Sequence, residues 1–427
     1  MLRTFIAAIA LAAGIGGEGA RPDLPAAPGR PPGAVLGIVW NETGFAETKL
    51  TRVKSVTLQP FGRRVPLLLG GASATAYSPD RRWLALGNGT DPSIQLIDLR
   101  RMKQVGVVKL GLDGWVTFLS WQGGSLFAVV DGETDRAVAV VDPIGRQVLR
   151  RHRLNRTILA TQAGPGTVVL ITGPRNHIGP IELTIVGGKG MTSVPVREIA
   201  GGWETENDSS GYRARQAKPG LAIDAPGRRA LIVPAGRTVA EVSLRNLAVR
   251  YHKLSEPVSL LQRLRNWLEP AAQAKLIEGP QRKAVWLRNG LIAVTGADYA
   301  VSTDENGDPD VAAQAAGLSL IDTRTWTIRK IDDEASDFAR FEDTLVAFGV
   351  TDWAASAKPP GFGLVGYDLG GNKLFQVLEG TGVSWVEAVD GLAYVTLDEK
   401  LYAVVDAATG HVFARSRTKK PLSLVTD

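Results

Sequence analysis

The segment DENGDPD, residues 304–310, places Asp304, Asn306, Asp308 and Asp310 at alternate positions. Such a run of oxygen donors suits a hard cation, and calcium is the cofactor reading for these four residues. The run departs from the twelve-residue calcium loop, because its glycine, Gly307, stands fourth instead of sixth and no glutamate follows at position twelve. A second set of acids and amides recurs along the chain, each just after an apolar run: Asn41, Asp91, Asp131, Asn176, Asp298, Asp352 and Asp398. Gathered around one opening, these groups would attract cations, basic peptides or sugar hydroxyls; left apart, they are ordinary turn residues. His177, in TGPRNHIGP, stands with Arg175 and Asn176, and the three would bind an anion or supply a base.

No catalytic residue is assigned. The G-x-S-x-G, H-E-x-x-H and Walker patterns are missing from the sequence, and the absence of cysteine excludes thiol catalysis, disulfides and Cys-type zinc sites. Gly14, Gly16 and Gly19 fit G-x-G-x-x-G, but no strand precedes them, so the match carries no nucleotide-binding meaning.

The elements that must position the candidates emerge from an internal repeat. An apolar strand ending in Asp, followed by a turn and another strand, appears as IQLIDLR, VAVVDPI, LSLIDTR, LVGYDLG and YAVVDAA, anchored at Asp98, Asp142, Asp322, Asp368 and Asp406. Weaker copies at Lys54, Gly187 and Ser243 complete eight units. Each unit reads as inner strand, tight turn, second strand, variable loop, Asp-ended third strand, short turn and outer strand. Four strands in roughly 40 to 45 residues is the period of a β-propeller blade. The Asp is expected to cap its turn by accepting backbone N–H groups two residues on.

On these repeats the chain resembles the YVTN and WD40-like propeller superfamily. LYAVVDAATGHVFAR also resembles the repeats of quinoprotein dehydrogenases, although Phe413 and Ala414 stand where the tryptophan of those repeats would be. The resemblance implies a fold much more than an activity. The expected fold is all-β: one propeller over residues 34–427, of eight four-stranded blades, with seven as the alternative. The first unit, AVLGIVW onwards, has only three strands, so residues 421–425 are expected to supply its inner strand and close the ring.

Within a blade, the second-to-third and outer-to-inner connections leave one face of the disc, and in this sequence they hold all the long insertions. One of them, residues 255–275, has helical spacing, with Leu260, Leu261, Leu264, Trp267 and Leu268 on one face and Gln262, Arg263, Arg265, Asn266 and Glu269 elsewhere. It reads either as a roof on the channel or as a partner-docking helix built on Leu261, Leu264, Arg265, Trp267 and Leu268. The basic run VLRRHRLNR, residues 148–156, reads as a charged outer strand that resists edge-to-edge pairing.

Residues 1–20 have the form of an export signal, one Arg before a short apolar run, and residues 21–33 form a proline-rich tether. The expected location is secreted or extracytoplasmic, with an uncleaved N-terminal membrane anchor as the alternative. The apolar run is too short to span a bilayer comfortably. A formal charge of +6 spread along the chain gives no reason to expect nucleic acid. N-x-S/T sites at Asn41, Asn88, Asn155 and Asn207 would accept glycans in a host that adds them. The expected function is binding of a protein partner or small polar ligand on the long-loop face by a monomeric, non-catalytic propeller. The alternative is a divalent-cation-dependent lyase, hydrolase or oxidoreductase acting at the acidic mouth.

Overall fold

A computed structural model describes residues 33–41, 44–68, 71–208, 211–255, 279–303, 309–349, 361–398 and 400–426. The expected helical insertion at 255–275 falls outside them beyond Ser255, as do Asp352 and the loop residues Asp304, Asn306 and Asp308.

The strands form eight antiparallel sheets, and consecutive sheets are blades of one ring. The second blade shows the plan: inner strand Ala72–Tyr77, then Trp83–Asn88, Ser93–Asp98 and outer strand Lys103–Lys109. Burial follows this order, because middle strands have blades on both faces while outer strands meet water. Ser93–Asp98 is buried throughout, whereas Gln147–Arg153, the outer strand of the third blade, is mostly exposed.

Closure occurs where the strand count predicts it. Ala34–Asn41, Gly44–Lys54 and Pro60–Pro66 make three strands of the first blade, and Leu422–Leu424 supplies the inner one, in register Gly37↔Leu424 and Val39↔Leu422. The apolar core repeats the circle. Eight buried clusters each straddle two neighbouring blades, and the last of these seams joins Leu422 and Leu424 to Tyr394 and Val404 of the eighth blade. Each blade is thus wedged between two others, so the ring is held mainly by apolar contact across blade faces.

The Asp-ended strands behave as their turn chemistry requires. Asp98 accepts the Arg101 N–H at 3.0 Å, Asp142 that of Ile144 at 2.9 Å, Asp322 that of Arg324 at 2.8 Å and Asp406 that of Thr409 at 2.8 Å. In the weaker copy, Ser243 Oγ does the same for Arg245 at 3.3 Å. These bonds to the ionised form hold the Asp98 and Asp322 carboxyls below the usual carboxylate range; for Asp322 the Arg324 side chain contributes most.

Two of the long insertions are built as strands. The stretch after Ala200 is a β-ribbon, Met191–Asp208 paired with Gly211–Ala217, and the stretch after Gly296 is another, Leu291–Thr303 paired with Pro309–Ala315. These ribbons give the fourth and sixth blades a fifth strand each. Register along them continues the blade hydrogen bonding, so extending a strand satisfies backbone groups that a loop would leave to water. The glycan expectation fails at Asn88, which is only 4 % exposed and whose Oδ1 accepts the Thr90 N–H at 3.1 Å.

Side chains of the basic outer strand, and of Arg146 in the turn before it, reach neighbouring blades. Arg151 Nε donates to Leu110 O at 2.5 Å and Arg146 to Val105 O at 3.0 Å, both on the second blade, while Arg150 donates to Lys189 O on the fourth. Long side chains thus tie outer strands that share no ladder.

Candidate functional site

Inner strands begin, and second strands end, on the face that carries both β-ribbons. Cross-strand register places the ends together: Trp115↔Asp131 in the third blade, Pro280↔Asp298 in the sixth and Asp337↔Phe348 in the seventh. The candidate site is this mouth of the channel.

Three acids there are held by cations. Asp131 accepts from Arg136 Nε at 2.9 Å, Asp298 from Arg282 at 2.8 Å and Asp337 from Lys283 Nζ at 2.6 Å. Lys283 also donates to Phe338 O at 2.7 Å and lies 4.9 Å from the Phe338 ring centre. Such pairing fixes each carboxylate in one orientation, which preorganises the rim for a polar ligand.

Lys218 joins this group from the end of the ribbon that leads into the fifth blade. Its N–H donates to Pro280 O at 2.9 Å, and its carbonyl accepts from the Arg282 N–H at 2.8 Å. A short parallel bridge with Gln281 therefore locks its backbone to the sixth blade. Burial lowers the Lys218 ammonium pKa, against the opposing pull of Asp131, and burial raises the Asp131 carboxyl, against Arg136 and Lys218. Tyr299 is raised by burial and then by Asp337. The same enclosure thus pushes each of these groups toward its neutral form.

Close backbone approach is built into this rim. Gly296 has φ +149°, and a Cβ there would overlap the Gln281 carbonyl oxygen. Only glycine lets the second strand of the sixth blade press against its inner strand at this level.

Along the channel wall, Glu387 of the eighth blade accepts the Leu424 N–H at 2.8 Å. That donor faces away from the first-blade ladder and would otherwise have no protein partner on the closing strand's free edge. Burial pushes the Glu387 carboxyl up to about 8, the Leu424 N–H opposing it, so it is largely protonated at neutral pH.

Of the residues expected from sequence, Asp131 and Asp298 come to the mouth as second-strand ends, each held by an arginine. Asp91 is exposed in the turn between Asn88 and Ser93, and in that turn the buried Asn88 does the organising. Arg175, Asn176 and His177 form an exposed turn on the fourth blade, with His177 Nδ1 3.0 Å from Arg175 O and Asn176 at φ 59°. Among the described residues no hydrogen bond or ion pair joins this turn to the ion-paired rim. Asn41 and Asp398 end second strands, paired with Gly44 and Leu401, but their side chains lie outside the described residues. Asp310 falls in a strand opposite Ser302, its side chain likewise outside, and among the described residues no group of three or more acids and histidines is placed to hold a metal ion. Leu261, Leu264, Arg265, Trp267 and Leu268 belong to the undescribed insertion.

Sequence reasoning missed Arg136, Lys218, Arg282, Lys283, Asp337 and Glu387. All but Arg136 sit on inner strands or at their entrances. The only available signal was position in the repeat, which says that a residue is on an inner strand but not which neighbour it meets across the ring.

No protein-family description matches the chain, and no curated protein matches it. Solved structures do. The dihydro-heme d1 dehydrogenase NirN, in complex with DHE, is 16 % identical over 94 % of this chain and 78 % of its own, with a TM-score of 0.55. The β-propeller domain of Myceliophteria thermophila Cps50 (Swd1) is 12 % identical over 84 % and 99 %, at 0.43, and BamB from Moraxella catarrhalis is 10 % identical over 88 % and 89 %, at 0.42. At such identities likeness means a common propeller fold, and activity does not travel with it.

Proposed function

We propose that this chain is an exported, non-catalytic β-propeller that binds a small polar ligand through its long-loop face. The observation that carries the reading is the ion-paired mouth. Asp131, Asp298 and Asp337 are oriented by Arg136, Arg282 and Lys283, on the face from which both β-ribbons project. Rigid scaffolds with lengthened connections on one face commonly bind there. Export rests on residues 1–20 alone, whose composition is that of a cleaved leader.

The test compares the two faces. A panel of polar solutes is screened by thermal shift against the natural chain, a mouth variant, Asp337→Asn with Arg136→Gln, and a short-turn-face variant, Arg288→Gln with Arg324→Gln. A solute that raises the midpoint of the natural chain and of the short-turn variant, but not of the mouth variant, supports the reading. Stabilising solutes that lose their effect only in the short-turn variant would overturn it. Intact mass of the chain recovered from its own host decides export: a product beginning near Arg21 is expected, and a cytoplasmic product retaining Met1 refutes it.

A further inference from the structure

On the face opposite the mouth, where the inner-to-second and third-to-outer turns emerge, charge is sorted to one side. The two turns of the second blade carry the exposed Arg81, Arg82, Arg100, Arg101 and Lys103. The third blade adds Arg146, the fourth Lys189, and the fifth Arg228 and Arg245, all exposed. Four acids share these turns, and each is turned onto backbone. Asp80 accepts the Arg82 N–H at 3.1 Å, Asp98 that of Arg101 at 3.0 Å, Asp142 that of Ile144 at 2.9 Å and Asp224 that of Gly227 at 3.0 Å, with Arg229 at 2.8 Å from its other oxygen. With all four acids counted, and Arg229 set against Asp224, positive charge stays in excess from the second blade to the fifth.

The turns of the sixth to eighth blades reverse the sign. Asp322, Glu342, Asp343, Asp368, Asp390 and Asp406 stand there against Arg288, Arg324 and Lys373. Two of those cations are already paired, Arg288 with Asp343 at 2.6 Å and Arg324 with Asp322 at 2.9 Å. The third-to-outer turn of the first blade brings Lys54, while Asp427 lies outside the described residues. Asp113, Glu133 and Asp135 belong to connections of the opposite face.

Side chains stitch the basic turns into one arc. Arg63, on the outer strand of the first blade, donates to Arg101 O at 3.3 Å. Arg146 donates to Val105 O at 3.0 Å, and its stem lies so close to Gly106 that a Cβ there would meet Arg146 Cδ. Arg150 reaches on to Lys189 O. Within the arc, Ile144 stands in the turn of the third blade, two residues before Arg146. It is 86 % exposed, the most exposed large apolar side chain among the described residues. Cations surrounding an apolar tip suit a surface that offers both negative charge and apolar depth. An anionic bilayer offers both, whereas an acidic peptide or a nucleic acid offers the charge without the depth.

We propose that this chain docks on anionic lipid surfaces through the short-turn face of its second to fifth blades, with Ile144 entering the headgroup layer. Attraction reaches only about a Debye length, roughly 8 Å at physiological ionic strength. The basic arc therefore sits down, and the acidic sixth to eighth blades tilt away. The mouth lies on the other face and stays open to solution, so this inference stands or falls independently of the polar-ligand reading.

The chain recovered from its host is sedimented with vesicles of phosphatidylcholine, alone or with phosphatidylglycerol. It should bind only the anionic set, and raised salt should release it. Arg100→Gln with Arg101→Gln removes two cations from the arc and should weaken binding about thirtyfold. Lys109→Gln with Arg153→Gln removes as much charge at the long-loop ends of outer strands and should bind like the natural chain. Because the sequence lacks cysteine, Ile144→Cys and Glu133→Cys each accept a single environment-sensitive fluorophore. On anionic vesicles the emission from position 144 should shift to the blue and that from position 133 should not. This labelling decides the matter if the arginine variant fails to fold. Absence of binding, equal binding to neutral vesicles, undiminished binding by the arginine variant, or a blue shift at position 133 in place of 144 would each overturn the inference. Displacement by soluble polyglutamate at matched ionic strength would assign the arc to an acidic protein and overturn it as well.

Discussion

Removing residues 421–427 takes the inner strand from the first blade and should open the ring. Leu422, Leu424 and Val425 are 5 %, 7 % and 2 % exposed and belong to the two apolar clusters that flank the first blade. Burying each such side chain is worth roughly 1.5–3 kcal/mol, so the three together contribute about 5–9 kcal/mol. Residual compactness of the unfolded chain lowers this by roughly 10–40 %, to about 3–8 kcal/mol. Polar losses add to it. Tyr402 Oη donates to Leu422 O and accepts the Leu422 N–H, both at 2.8 Å, and Glu387 loses the Leu424 N–H. Domains have only about 5–15 kcal/mol in total, so the loss takes most of the margin. It also bares the edge of Ala34–Asn41, an invitation to intermolecular pairing. Urea unfolding followed by tryptophan fluorescence, with light scattering on a sizing column, should show a large fall in midpoint and association of the truncated chain. A graded version is Tyr402→Phe, which keeps the packing but loses both bonds to Leu422, at a cost of about 1–3 kcal/mol. If the truncated chain keeps the natural midpoint and elutes unchanged, closure by Leu422–Leu424 does not hold the ring and the argument is refuted.

Two pH effects of opposite sign are expected. The folded pKa of Glu387 is raised to about 8, so its contribution is present below the ordinary glutamate value and is lost as pH rises through about 8. Glu387→Gln should therefore gain stability relative to the natural chain between pH 5 and pH 8.5, and a constant gap in melting temperature across that range would contradict it. His252, stacked on Trp326 at 3.6 Å, has a pKa lowered by burial, Glu241 opposing; its contribution is present above the ordinary histidine value and is lost as pH falls. Below about pH 6.5, His252→Gln should flatten the decline in melting temperature, and an unchanged slope would speak against this. Gly296→Ala should lower the melting temperature strongly or prevent soluble expression, because the new methyl meets the Gln281 carbonyl at a left-handed φ; a shift below ~1 °C would show that the rim yields. Arg151→Ala removes the tie to Leu110 O and, being on an exposed strand, should cost only about 0.5–1 kcal/mol by urea titration.

The fold was legible because a propeller writes each blade into local sequence. Alternating apolar runs, the Asp that caps a turn and the three-strand first unit each state a local preference, and the ring satisfies all of them together. The two ribbons were missed because GGWETENDSSGY and the DENGDPD region have turn-rich composition. Their strands are held by pairing with one another and continue the ladders of the fourth and sixth blades, a cooperative effect that composition does not display.

The site was legible only in part. Sequence alone determined which face would carry the lengthened connections, since connectivity and strand order settle on which side of the disc each loop leaves. It also marked Asp131 and Asp298 as second-strand ends. Only the tertiary structure decided that each would be matched by a cation and that Glu387 would meet the closing strand. Residues 131, 218, 282 and 337 lie on four different blades or their entrances, and closing a ring brings such distant positions together through packing that no local pattern encodes.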